Sequence, residues 1–173
     1  MKTFKLTLIY LTLLMIFSSC SKDEGVNTDP NTSTANPQSA VQLSLAQESD
    51  WPFALEILQL INEHRRTLEL NDLAADRSHA TALAVEHAHY MIAQGKISHN
   101  NFAYRSNILK NLGAVSVGEN VAYGYSAAET LVQAWLNSPS HRQVIEGPYT
   151  DAGFGIIEDE RGVYYFTMLV YRD

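Results

Sequence analysis

The sequence predicts an α/β fold of the α+β type, a three-layer α/β/α sandwich built on a small, mainly antiparallel sheet. Three observations carry this. Val163 to Tyr171 is apolar at both parities, with Val163, Tyr165 and Leu169 on one side and Tyr164, Phe166 and Val170 on the other, the pattern of a strand covered on two faces. Ala152 to Ile157 precedes it across EDERG, whose turn at Asp159 to Gly162 makes the pair an antiparallel hairpin. Upstream segments repeat apolar residues every three or four positions, so helices are available to cover both faces, and most of them precede the strands.

In chain order, the folded part opens at Asp50, a helix N-cap with Pro52 in the first turn, where its missing N–H costs nothing. Leu55, Leu58, Ile61 and Arg65 share one face of this helix, which runs to about Leu68 before a loop at Asn71 and Asp72. The second helix places Ala80, Leu83, Ala84, His87, Ala88 and Met91 on one stripe and stops at Gly95. His87, on that stripe, is a hydrogen-bonded core histidine, whereas His79 and His89 lie off it and are solvated. A third helix spans about Ala103 to Leu112 and ends at Gly113, and Val115 to Tyr123 is extended, punctuated by Gly118 and Gly124. Ser126 to Glu129 reads as a capping box for a fourth helix whose buried face is Leu131, Val132 and Trp135 and which Pro139 ends. That gives Glu129 a structural task.

The whole chain of 173 residues has room for one folded domain, at 51–173, after a leader at 1–19 and a tether at 20–50. The leader has Lys2 and Lys5, then an apolar run from Leu6 to Phe17 broken by Thr7, Tyr10 and Thr12, then Ser18 and Ser19. It is short for a membrane span, which takes about 20 apolar residues. Cys20, the only cysteine, follows those two small residues, which resembles a bacterial lipobox with Phe17 where leucine is usual. Cys20 is then the lipidated first residue of the mature chain, anchoring it to a membrane by an acyl chain such as palmitate. Ser21, Lys22, Asp23 and Glu24 resemble a surface-export signal of outer-membrane bacteria. The expected location is the cell envelope, at the outer membrane and facing the exterior or the periplasm. From Ser21 to Asp50 the composition is polar, too poor in apolar groups to fold, although Val41, Leu43 and Leu45 alternate as a short strand would.

Charge and cysteine usage narrow the partners. Twelve lysines and arginines face nineteen aspartates and glutamates, and loss of Lys2 and Lys5 with the leader leaves ten against nineteen. With no basic run, nucleic acid is excluded as a main partner. With the lone cysteine outside the domain, no disulfide staples the core.

The chemistry-bearing residues lie between Ser98 and Arg142, where SHNN, GENVAYG and AWLNSPSHR carry His99, Glu119 and His141. Two imidazoles and a carboxylate in one cleft can hold a metal, move a proton or clamp one another as a structural network. A His, Glu, His set is a three-ligand zinc pattern, but these residues are 20 and 22 positions apart and only the tertiary fold can assemble them. Ser98, Ser138 and Ser140 neighbour the histidines and are the candidates for a Ser, His, Glu triad. In the structural reading, Glu119 and Asn120 turn the chain at Gly118 while the carboxylate accepts from His99 or His141. Asn137 and Ser138 then cap a helix end, and Arg142 pairs with a nearby acid.

INEHRR in the first helix, EHAHYM in the second, Ser98 with His99, GENVAYG, the run from Trp135 to Arg142 and the closing aromatic strand together resemble the CAP superfamily, also called the SCP or PR-1-like domain, in its compact bacterial form. The resemblance covers about Ala54 to Tyr171 and implies an α/β/α sandwich. It also implies a cleft lined by two histidines and two glutamates. His99, Glu119 and His141 match three of them, and Ser138 stands where the second glutamate is expected. A closing Thr-Gln pair is altered to Thr167 and Met168. The resemblance implies a ligand cleft comprising His99, Glu119, Asn120, Ser138 and His141, with His99, Glu119 and His141 also the candidate catalytic residues. Those three are the candidate ligands of zinc or another divalent metal as well. Relatives have been linked to sterol or fatty-acid binding, defence and host interaction. The expected role is non-catalytic binding of a lipid, cell-wall or host ligand, the alternative being a metal-dependent hydrolase of peptide or cell-wall material with Glu119 as general base.

Overall fold

The computed structural model describes residues 41–173, so the leader, Cys20 and the tether up to residue 40 lie outside the described residues. Five α-helices and four strands follow one another as α1 (Trp51–Thr67), β1 (Ala74–Ala75), α2 (His79–Gln94), α3 (Phe102–Asn111), β2 (Ser116–Tyr123), α4 (Ala128–Asn137), α5 (Pro139–Ile145), β3 (Asp151–Glu158) and β4 (Tyr164–Arg172). The sheet order is β1-β3-β4-β2. Only the β1–β3 pair is parallel; β4 runs antiparallel to both β3 and β2. This is the predicted α/β sandwich.

Alternation along the central strands sorts the core into two layers. Phe166, Met168 and Val170 of β4, with Ala152, Phe154 and Ile156 of β3, pack against α1, α4 and α5. Leu169 joins Ala80, Leu83 and Ala84 of α2 and Leu109 of α3 on the other face, and Tyr165 meets Met91 and Val121 there. Burying each such large apolar side chain contributes about 1.5 to 3 kcal/mol. β4 is therefore buried from Tyr165 to Val170, as its two-sided apolarity predicts. The β3 residues facing α2 are Gly153 and Gly155. A Cβ on either would lie 2.4 or 2.2 Å from the α2 backbone at Ala80 and Ala84, so glycine is what lets this helix settle on the sheet.

α1 begins as its sequence dictates: the Asp50 carboxylate accepts from the Phe53 N–H at 3.1 Å. Its buried face is Ala54, Ile57, Leu58, Ile61, Asn62 and Arg65, whereas Leu55, expected there, is exposed. Arg65 is inside the apolar stripe for a reason. Its Nε donates to the Asn71 carbonyl at 2.8 Å, Nη1 to those of Ile145 and Gly147 at 2.6 and 2.9 Å, and Nη2 to that of Tyr149 at 3.1 Å. One buried guanidinium so ties the end of α1 to the segment joining α5 and β3.

Four local expectations are corrected. Val41 to Leu45 gives no strand; Leu43–Gln47 is a 3-10 helix, with Ala46 and Ser49 buried and the Ser49 hydroxyl donating to the Phe154 carbonyl at 2.6 Å. The packed part of the chain therefore starts before Trp51. Ser126 does not cap α4: Ala127 is the N-cap, in extended conformation and without a side-chain cap bond, which puts Glu129 one position short of the capping-box register. Pro139 ends α4 but also opens α5, a helix of about two turns that the sequence reading passed over, and Ser138, at the junction, caps neither with its hydroxyl. Gly118 makes no turn. It lies in mid-strand, where a Cβ would meet the Tyr149 hydroxyl at 2.8 Å.

Candidate functional site

The site is built on β2, one of the two edge strands of the described sheet, whose period of two sends neighbouring side chains to opposite faces. Glu119, opposite Leu169, points into the α2 and α3 layer; Asn120, opposite Met168, points into the α1, α4 and α5 layer. Both are buried.

The Glu119 carboxylate is engaged on both oxygens. Oε1 accepts from His99 Nδ1 at 2.8 Å and Oε2 accepts from Arg105 Nε at 2.7 Å. Arg105 Nη2 also lies 2.6 Å from Oε2, as an ion-pair contact without an aimed hydrogen bond, and none of its N–H groups finds an acceptor among the described residues. Arg105 Nη1 donates to the Asn100 carbonyl at 2.8 Å, so one guanidinium holds both the carboxylate and the loop bearing His99. That loop has a second support: His87 Nε2 donates to the Ser98 carbonyl at 2.7 Å, and the His87 ring stacks on Tyr90. His87 is the hydrogen-bonded core histidine expected of it. Since the carboxylate can only accept, His99 donates from Nδ1, and Nε2 is left on a ring whose side chain is 54% exposed.

His141, on α5, is joined to the strand through its backbone. Asn120 Nδ2 donates to the His141 carbonyl at 3.0 Å, one residue from Glu119. The half-buried His141 imidazole has its proton affinity lowered by burial first and by the charge of His99 second. His87 is lowered in the same direction, by burial and then by Arg105. Folding thus disfavours both imidazolium forms. On acidification the unfolded chain takes up these protons first, so stability is fully present above the ordinary imidazole value near 6.5 and falls as pH drops through it toward the lower folded values. Melting temperature should decline between about pH 7 and pH 5, and a His87→Gln, His141→Gln double variant should flatten that slope. An unchanged slope would mean that other groups set the acid limit.

Several site expectations are revised by this geometry. The zinc set does not fit: with both Glu119 oxygens used and a buried guanidinium against one of them, a cation at the carboxylate would meet a positive charge already in place. Among the described residues no group of three His, Cys, Asp or Glu side chains is placed to hold a metal ion. Nor does a serine nucleophile assemble. The Ser138 and Ser140 hydroxyls face each other at 3.3 Å, Ser98 Oγ accepts from the Asn100 N–H at 3.4 Å, and no serine hydroxyl is bonded to a histidine among the described residues. Arg142 is exposed and makes no ion pair among them. Glu119 accepts from His99 as expected, but its charge partner is Arg105, which the sequence reading missed. Its signal was present: Phe102, Arg105, Ser106 and Leu109 recur at helical spacing, an arginine within an apolar stripe just as Arg65 is.

The altered Thr167-Met168 pair leaves a trace. Asn120 Oδ1 and Thr167 Oγ1 are buried without a hydrogen-bond partner among the described residues, and Met168 is the direct cross-strand neighbour of Asn120. Side chains so paired have Cβ atoms about 4.5 to 5.5 Å apart. Met168→Gln would put an amide donor beside Oδ1 and is expected to cost less than about 1 kcal/mol, whereas an unpartnered buried amide costs about 2 or more. In an Asn120→Val background the larger cost should appear, and denaturant melts of the four chains measure the difference.

Comparison with known proteins agrees with this architecture. A family model described as CAP, the cysteine-rich secretory protein family, matches residues 58–171. The uncharacterized protein YkwD of Bacillus subtilis is 27% identical over 143 residues, which are 78% of this chain and 55% of that protein. The chain therefore spans little more than half the length of that curated relative. Among solved structures, an outer surface protein from Borrelia burgdorferi matches 70% of this chain and 92% of its own, at a TM-score of 0.62 and 25% identity. An extracellular protein containing an SCP domain from Bacillus anthracis matches 69% of this chain and 40% of its own, at a TM-score of 0.59 and 26% identity.

Proposed function

The chain belongs to the CAP family of cysteine-rich secretory proteins, and from that premise we propose that it is a lipid-anchored extracytoplasmic protein that binds a ligand or envelope component, without catalysis, through the surface around His99, Glu119 and His141. The observation that carries this is the Glu119 carboxylate itself. Engaged by Arg105 on one oxygen and His99 on the other, and buried against a guanidinium, it is ill placed to act as general base or metal ligand. What the arrangement does offer is a mostly exposed imidazole held in one orientation by a buried acid, with a second imidazole in its field. Such a surface offers His99 Nε2 to a partner as a hydrogen-bonding group, and among the described residues no serine hydroxyl or metal-ligand cluster is assembled beside it.

The extracytoplasmic placement rests on the leader and Cys20 in the sequence and on the outer-surface and extracellular descriptions of the two similar structures. Among the described residues no helix is long and apolar enough to cross a membrane; the proposed attachment is the acyl chain on Cys20, read from the sequence. A candidate lipid, cell-wall or host ligand remains compatible with the acidic balance, and nucleic acid does not.

Two measurements test the proposal. Metabolic labelling with a palmitate analogue should mark the wild-type chain and not Cys20→Ser. The Cys20→Ser chain should still sediment with purified bacterial envelopes, and adding His99→Ala and His141→Ala should abolish sedimentation while leaving the melt intact. Release of peptide or sugar fragments from those envelopes would sink the non-catalytic reading and restore the hydrolase.

A further inference from the structure

Between α2 and α3 lies a cleft of about 340 Å³, lined by Leu83, Glu86, His87 and Tyr90 of α2, by Tyr104 and Arg105 of α3 and by Asn101, the α3 N-cap. We propose that this cleft is a binding site for the ring of a neutral saccharide, separate from the surface at His99 and His141.

Asn101 is the most informative residue. It occupies the N-cap position of α3, where an asparagine side chain ordinarily accepts from a backbone N–H one turn on, yet it makes no such bond. Its backbone is left-handed, at φ 60°, and the residue lines the cleft. Residues kept out of their ordinary role and in a sparsely populated conformation gather where a ligand is gripped. Glu86 and Tyr104 are exposed and, with Asn101, have no side-chain hydrogen-bond partner among the described residues. The Tyr90 hydroxyl accepts from Asn100 Nδ2 at 2.9 Å, which leaves its own hydrogen to donate elsewhere.

The class of ligand follows from this inventory. The carboxylate of Glu86 can accept from two adjacent hydroxyls, the Asn101 amide both donates and accepts, and the tyrosines add hydroxyls and aromatic faces. A pyranose presents the same mixture: hydroxyls that donate and accept around a rim, and an apolar C–H face that packs on an aromatic ring. An apolar ligand would bury those polar groups without partners. An anion would meet Glu86. A cation could pair with Glu86, but that carboxylate is exposed to water, where an ion pair is worth little, and His87, its proton affinity lowered by burial, adds no charge to the floor. The cleft volume lies at the small end of ligand pockets, which suits one ring rather than a long acyl chain.

Titration of the full chain with methyl N-acetyl-β-D-glucosaminide, methyl β-D-glucoside and methyl β-D-galactoside, followed calorimetrically or by NMR, tests the proposal. At least one should bind saturably with a dissociation constant on the order of millimolar, as befits so small a ligand. Tyr104→Ala and Glu86→Gln, both exposed positions whose loss leaves the melt unchanged, should each weaken that binding about tenfold or more. Tyr123→Ala, an exposed tyrosine on β2, should not. The proposal is overturned if none of the three glycosides saturates by about 100 mM, two decades above that range. It is overturned equally if the Tyr104 and Glu86 variants bind like wild type, or if tetramethylammonium or acetate displaces the glycoside at lower concentration.

Discussion

Replacing Arg105 with methionine should cost about 3 to 5 kcal/mol of stability, because it leaves the buried Glu119 carboxylate without its charge partner. For a domain of this size that lowers the melting temperature by about 10 °C or more. The guanidinium side chain is 4% exposed and the carboxylate 2%, so neither can turn to water for compensation. The loss also frees the Asn100 carbonyl and with it the loop that bears His99. Removing both charges, as Arg105→Met with Glu119→Leu, should recover much of the stability, since a buried pair replaced by apolar groups of similar volume is often near neutral. The double-variant cycle is therefore decisive: additive losses would mean that the two side chains act independently and that the ion pair does not organise the site.

Gly155→Ala is the second large effect. Its added methyl would lie 2.2 Å from the backbone carbon and oxygen of Ala84, contacts that no rotamer can relieve. Either α2 lifts from β3 or the sheet bends, and both disturb the face on which Leu83, Ala84 and Leu169 pack. Overpacking ordinarily costs about 1 to 3 kcal/mol; with backbone as the obstacle the value should lie at or above the top of that range. Ala84→Gly in the same chain removes only the Ala84 methyl, not the obstructing carbonyl, so it should not rescue. Rescue would show that side chain rather than backbone limits the approach. Because α2 also carries His87, and through it Ser98, the same substitution should alter the NMR signals of His99.

These two effects differ in how visible their causes are in the chain. Apolar recurrence every three or four residues marks α2 and its stripe from Ala80 to Met91, all of it buried, but not the burial of Thr81, Ala82 and Val85 beside it. The double-sided apolarity of β4 likewise announces a central strand. Features that depend on what lies opposite are harder. Gly118, Gly153 and Gly155 are indistinguishable from turn glycines until Tyr149 and the α2 backbone are known to press against them. Helical spacing marks Arg105 as a buried arginine, but its partner cannot be named until Glu119, 14 positions on, is set against it. Helix α5 has seven residues and begins at a proline that is as good a terminator as an initiator. At the candidate site, the approach of His99 to Glu119 was legible from the motifs, whereas Asn120, expected in the same cleft, points into the opposite layer because neighbours on a strand alternate faces. The attachment of His141 by its backbone was not legible, because carbonyls carry no sequence signal.

The placement of Glu119 and Asn120 on opposite sides of β2 has a consequence for how this molecule can fail. A shift of the strand by a single position against β4 would drive the acid's charge in among Met168 and the aromatic residues of the other layer and bring an uncharged amide to Arg105. Two adjacent residues thus act as a proofreading device for the edge of the sheet, and a misaligned chain is too unstable to persist as a partly functional one.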